Sequence, residues 1–139
     1  FEIPWETRIA SAHKTPRFLL DALARDEKIA GPKVYITVAG RSNALSGMVD
    51  AAVTAPVIAC PPYSDKFGGA DIYSSLRTPS GVAPAVVLEP KNAALLAAKM
   101  LALANSVLKE RVQQAQEAQR QRLYDADQSQ RADLDQRGQ

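Results

Sequence analysis

The sequence predicts an α/β fold, a three-layer α/β/α sandwich around a parallel sheet, and three observations carry the prediction. Strand-like and helix-like segments alternate along the first hundred residues. The loops between them are short, as right-handed βαβ crossovers require. The run Val34 to Ala39 is nearly continuously apolar and rich in β-branched residues, the pattern of a strand buried on both faces of a parallel sheet.

Trp5 to Ile9 reads as a short strand. Pro16 to Lys28 reads as a helix, with Leu19, Leu20, Leu23 and Ala24 on its apolar side. Thr15 stands at the N-cap, proline occupies the first helical position, and Gly31-Pro32 ends the unit. After the strand Val34 to Ala39 comes Gly40-Arg41-Ser42-Asn43, then a helix from Ala44 to about Val53 and a strand from Pro56 to Cys60. Pro61-Pro62 stops that strand, a polar loop follows, and Asp71 is placed to cap a short helix reaching Ser75 or Leu76. Ala85 to Leu88 makes the fourth strand. From Asn92 the stripe Leu95, Leu96, Met100, Leu103 and Val107 predicts one long helix packed on the sheet.

The 29 residues from Arg111 to Gln139 include nine Gln, five Arg and five acidic residues, so they bury little by themselves. Val112, Ala115 and Ala118 let the helix continue, and beyond Tyr124 the composition predicts a fraying or disordered tail. The expected division is a domain over 1–108 and a helical extension with a Gln-rich tail over 109–139.

Composition narrows the function. With 139 residues, one core is expected. Seventeen basic against fifteen acidic side chains leave a formal charge of +2, too small for an electrostatic footprint on nucleic acid or an anionic membrane. No apolar run reaches the roughly 18 to 20 residues that span a bilayer. The single cysteine, Cys60, forms no internal disulfide and fits a reducing, cytoplasmic setting as a packed thiol. No GxGxxG or Walker loop occurs, so those phosphate-binding classes have no support, and without a GxSxG elbow or HExxH pair the usual hydrolase and zinc constellations are poorly supported.

Ligands of open parallel sheets bind beyond the carboxyl ends of the strands, where helix N-termini add positive potential. Three loops qualify: Ser11-Ala12-His13-Lys14, Gly40 to Leu45, and Cys60 through Arg77. His13 is the only histidine, and both an acid/base role and a structural one suit its position. Lys14 adds charge where an anion would sit, or is a solvated surface lysine. Gly40-Arg41-Ser42-Asn43 supplies backbone freedom, a guanidinium and cap-competent side chains before a helix, fit for a phosphate or carboxylate or for plain capping by Ser42 or Asn43.

Together, Ser11-Ala12-His13-Lys14, Ala39-Gly40-Arg41-Ser42-Asn43, Cys60-Pro61-Pro62, Ser74-Ser75-Leu76-Arg77 and Pro79-Ser80-Gly81 resemble, in order and spacing, the phosphoribosylaminoimidazole carboxylase family of purine biosynthesis. The resemblance runs from about Ile3 to Val107 and implies a flavodoxin-like sheet. Lys14 and Arg41-Ser42-Asn43 resemble the class that uses carbon dioxide directly; the mutase class has arginine after the histidine and a Gly-Ala-Ala-His loop.

The resemblance implies reversible conversion of 5-aminoimidazole ribonucleotide and carbon dioxide to 4-carboxy-5-aminoimidazole ribonucleotide, without ATP, biotin, metal or other cofactor. It implies His13 as general acid/base and Lys14 as the charge that stabilises the forming carboxylate. Ser11, Gly40, Arg41, Ser42, Asn43, Ala44, Ser74 and Ser75 would bind substrate around a shared cavity. A homo-oligomer is implied, an octamer or tetramer, with the C-terminal helix against a neighbour. The family opens with a strand and a Gly-Ser-x-Ser-Asp loop that this sequence lacks, so a first βα unit is expected to be missing. The alternatives are the mutase of the same fold and a non-catalytic subunit that only assembles.

Overall fold

The structure is a computed structural model and describes residues 1–137. Its centre is a three-stranded parallel sheet in the order β1 (Tyr35–Thr37), β2 (Val57–Ala59), β3 (Ala85–Val86). Tyr35 pairs with Val57 and Thr37 with Ala59, and on the other side of β2 Ile58 pairs with Ala85. Successive side chains of a strand point to opposite faces. Val57 accordingly joins Leu19 and Leu23 of α1 (Pro16–Asp26) and Val49 of α2 (Ala44–Ala52). Ile58 and Cys60 join Ala93 and Ala97 of α4 (Pro90–Ala102) on the opposite face. Helices on both faces of one parallel sheet make the three layers.

Four sequence expectations change. Trp5 to Ile9 is not a strand: residues 1–10 are extended coil, with Trp5 84% and Ile9 93% exposed. A β-prone run needs a neighbour to pair with, and this one finds none among the described residues. The sheet therefore has three strands instead of four. Residues 1 and 2 are instead tied to the C-terminal helix, where Arg111 pairs with Glu2 at 2.6 Å and donates to the Phe1 carbonyl at 3.1 Å.

The run from Val34 is not buried on both faces. Because β1 is an edge strand, the covering helices reach Tyr35 and Thr37 but leave Ile36 and Val38 exposed.

The helix from Asn92 is not continuous. It ends at Ala102, and α5 (Ser106–Arg137) starts after a three-residue break that Asn105 caps by accepting from Leu108 N at 3.0 Å. Alanines, not leucines, form the buried face of α4: Ala93, Ala97, Ala98 and Ala102 bring the helix close to the sheet, while Leu103 is 90% exposed. Leu108 and Val112 are the buried anchors of α5.

The tail beyond Tyr124 is helical, not frayed, through Arg137. Gln, Arg, Ala and Leu are good helix formers, and pairs one turn apart support them: Gln121 with Asp125 at 2.8 Å and Arg131 with Asp127 at 3.0 Å. No helix among the described residues is long and apolar enough to cross a membrane.

Candidate active site

Chain connectivity puts the three candidate loops at one end of the sheet. A short connection links the C-terminus of α1 to the start of β1, so α1 runs back along the strands and its N-terminus, with Ser11 to Lys14, lies toward their carboxyl ends. The loop 40–43 leaves the carboxyl end of β1 and enters α2, and the stretch 60–77 leaves the carboxyl end of β2.

The first loop is a closed turn. Thr15 holds the N-cap position of α1 but makes no capping bond. Its hydroxyl instead accepts from Ser11 N at 2.9 Å, which closes the turn Ser11 to Thr15. Ser11 Oγ accepts from Lys14 N at 3.2 Å. The side chains of His13 and Lys14 are exposed.

The second loop has its left-handed residue at Arg41 (φ 58°), not at Gly40, which was expected to supply the backbone freedom. A Cβ at Gly40 would meet Pro62 at 3.6 Å, an ordinary contact. Asn43 caps α2: its Oδ1 accepts from Ser46 N at 3.2 Å, and its Nδ2 donates to Ser46 Oγ at 2.8 Å and Ser75 Oγ at 2.9 Å. Asn43, Ser46, Ser75 and Thr37 are buried, and their polar atoms satisfy one another. Arg41 and Ser42 keep exposed side chains.

The third loop is fastened to the second. Asp71 does not cap a helix; it follows the left-handed residues Phe67, Gly68 and Gly69 in a turn that runs into α3 (Tyr73–Leu76), and its Oδ2 accepts from Arg41 N at 2.9 Å. Ser74 Oγ accepts from Asn43 N at 3.0 Å and lies 2.6 Å from Arg41 O and 2.7 Å from Asp71 O. The fold thus joins Gly40 to Ala44 with Ser74 and Ser75, whereas His13 and Lys14 have no hydrogen bond to either loop among the described residues.

Two cavities lie away from the three loops. A space of about 430 Å3 sits at the amino ends of the strands, lined by Glu27, Lys33, Thr54 and Met100 among others, and one of about 310 Å3 lies between α4 and α5. Neither is lined by any of the ten candidate residues. Cys60 is a packed thiol that donates to Leu88 O at 3.8 Å, and burial, followed by the nearby Glu89 charge, pushes its pKa up. No cluster of His, Cys, Asp and Glu side chains among the described residues is grouped to hold a metal ion.

Ser46 and Asp71 are the site-forming residues that the sequence reading missed. Ser46 acts through the side chains of Asn43 and Thr37 and Asp71 through the backbone of another loop, and only the spacing of Asn43 to Ser46, a capping interval, was available to point at the former.

Comparison with known proteins adds the decisive observation: the family model for AIR carboxylase matches residues 1–122. The chain belongs to the AIR carboxylase family. Members of the family are lyase-type enzymes of purine biosynthesis. The chain is 58% identical over 127 residues to the phosphoribosylaminoimidazole carboxylase of Archaeoglobus fulgidus, which covers 91% of this chain and 69% of the relative. Against the enzyme of the same name from Treponema denticola it is 53% identical over 127 residues, covering 91% of this chain and 80% of the relative. The crystal structure of Treponema denticola PurE superposes with a TM-score of 0.86 at 53% identity, over 88% of this chain and 77% of that one. AIR carboxylase relatives thus share the parallel α/β architecture described above.

Proposed function

We propose that this chain carboxylates 5-aminoimidazole ribonucleotide reversibly with carbon dioxide, giving 4-carboxy-5-aminoimidazole ribonucleotide in purine synthesis. The observation that carries the reading is the 58% identity, over most of the chain, to a relative named phosphoribosylaminoimidazole carboxylase.

The aminoimidazole is an enamine, so its ring carbon 4 is already nucleophilic and needs no cofactor for activation. Carbon 4 attacks carbon dioxide, a carbon–carbon bond forms, and one C–O π pair becomes the carboxylate charge. Carbon 4 then carries both hydrogen and carboxylate, and loss of that proton restores the aromatic ring. His13 is the base that takes the proton and, in reverse, the acid that returns it, a role an imidazole can fill in both directions. Lys14 stabilises the carboxylate as it forms. Ser11, Ser42 and the Gly40 to Ala44 backbone position the ribonucleotide, with Arg41 beside its anionic groups.

Lys14 after the histidine and the Arg41-Ser42-Asn43 loop favour direct use of carbon dioxide over the mutase reaction. The enzyme works in the cytoplasm as a homo-oligomer, a tetramer or octamer. Exposed Leu103 and Val107 beside the start of α5 support assembly, since apolar surface of this kind marks contact sites.

The test is turnover of purified protein with 5-aminoimidazole ribonucleotide and dissolved carbon dioxide, followed in both directions. Carboxylation that rises with carbon dioxide supports the reading. Exclusive use of the N-carboxylated isomer would make the protein a mutase, and a folded oligomer without turnover would make it a non-catalytic subunit.

A further inference from the structure

We propose that Asp71 is a positioning residue for the carboxylation, acting through the backbone of Arg41; the inference rests on the carboxylase reading. Arg41 adopts a left-handed backbone (φ 58°), a conformation that residues with a side chain rarely take and keep only where their surroundings enforce it.

The enforcing groups come from 30 or more positions further along the chain. Asp71 Oδ2 accepts the Arg41 N–H at 2.9 Å, and Ser74 Oγ lies 2.6 Å from the Arg41 carbonyl. The same hydroxyl accepts the Asn43 N–H at 3.0 Å. Two side chains from the loop after β2 therefore hold three backbone groups of the loop after β1. An N–H bonded to a carboxylate is charge-assisted and stronger than a neutral pair, so Asp71 is the firmer of the two holds.

This grip leaves the Arg41 and Ser42 side chains exposed at the carboxyl end of the sheet. It also fixes where they emerge. The Asp71 side chain bonds the Arg41 N–H, and its effect on the reaction is through the aim of the neighbouring loop. Displacing that loop by an ångström is enough to lose reactive alignment.

The experiment compares Asp71→Ala with Asp71→Asn, reading kcat/KM for 5-aminoimidazole ribonucleotide and the NMR position of the Arg41 amide proton. Alanine removes the acceptor; asparagine keeps a carbonyl oxygen for the Arg41 N–H. Asp71→Ala is expected to lower kcat/KM about 10- to 100-fold, with the Arg41 amide proton moving upfield, and Asp71→Asn is expected to recover most of both. Unchanged kcat/KM in Asp71→Ala overturns the proposal, as does equal impairment of the two variants or an unmoved Arg41 amide. If Asp71→Ala does not fold, Asp71→Ser, whose hydroxyl stops one bond short of the carboxylate oxygens, replaces it with the same outcomes. Wild-type protein without turnover overturns the carboxylase reading instead, and the Arg41 amide then decides the Asp71 hold by itself.

Discussion

The hydroxyls of Thr37 and Ser46 meet at 2.8 Å, with the two residues 6% and 2% exposed, directly joining the last residue of β1 to the first turns of α2. Ser46 Oγ also bonds Asn43, so the Gly40 to Ala44 loop stands on a buried polar knot instead of an apolar floor. Such a knot is stabilising only when every member is satisfied.

Thr37→Val keeps the shape of the side chain and removes one hydroxyl, while Ser46 retains Asn43. A loss of about 1 kcal/mol is expected. Asn43→Ala removes the α2 cap and leaves the buried Ser75 hydroxyl without its partner, while Ser46 keeps Thr37, so about 2 kcal/mol or more is expected. Denaturant titration of both variants checks the order, which reverses if Asn43 is not the hub.

At the far end of the sheet, Glu27 accepts from Tyr35 OH at 3.0 Å and from Thr54 N at 3.2 Å. The Thr54 N–H, partly opposed by burial and assisted by the Tyr35 hydroxyl, holds the Glu27 carboxyl below its ordinary pKa. Burial, then the Glu27 carboxylate, pushes Tyr35 above its own. Glu27 therefore contributes stability above the ordinary carboxylate value of about 4.3, lost as pH falls through its lowered folded value. Tyr35 contributes stability below the ordinary tyrosine value of about 10, lost as pH rises from there toward its raised folded value. Glu27→Gln should flatten the acid limb of a stability profile and Tyr35→Phe the alkaline limb. Parallel limbs in wild type and variants would remove both assignments.

His13→Asn should cut turnover roughly 100-fold or more while leaving assembly intact. Lys14→Ala should lose carboxylation with little change in unfolding midpoint, since its side chain is exposed. Steady-state rates beside sizing chromatography read both. A near-wild-type rate for His13→Asn would end its acid/base role.

Along α5 the same substitution should act very differently at two leucines. Leu108→Ala, at a buried anchor, should cost about 2–4 kcal/mol. Leu134→Ala, on the exposed tail, should stay within about 0.5 kcal/mol. Equal costs in thermal unfolding at low protein concentration would mean the tail packs on something.

Local physics was legible in the sequence. Proline and Thr15 mark the start of α1, Asn43 stands before α2, β-branched runs mark β1 and β2, and five short motifs in order point to the family. Those features depend on neighbours a few residues apart, so a single chain displays them directly. Tertiary packing decided the rest. Whether Trp5 to Ile9 is a strand depends on a pairing partner, and whether Ile36 is buried depends on how far α4 reaches. The break at Asn105 lets α5 pack back on α4, which helical periodicity does not encode. The hold of Asp71 on Arg41 spans 30 positions and binds backbone instead of side chain, so no pattern in the sequence reveals it. Hydrogen bonds between loops exist only once the sheet has brought the ends of β1 and β2 side by side.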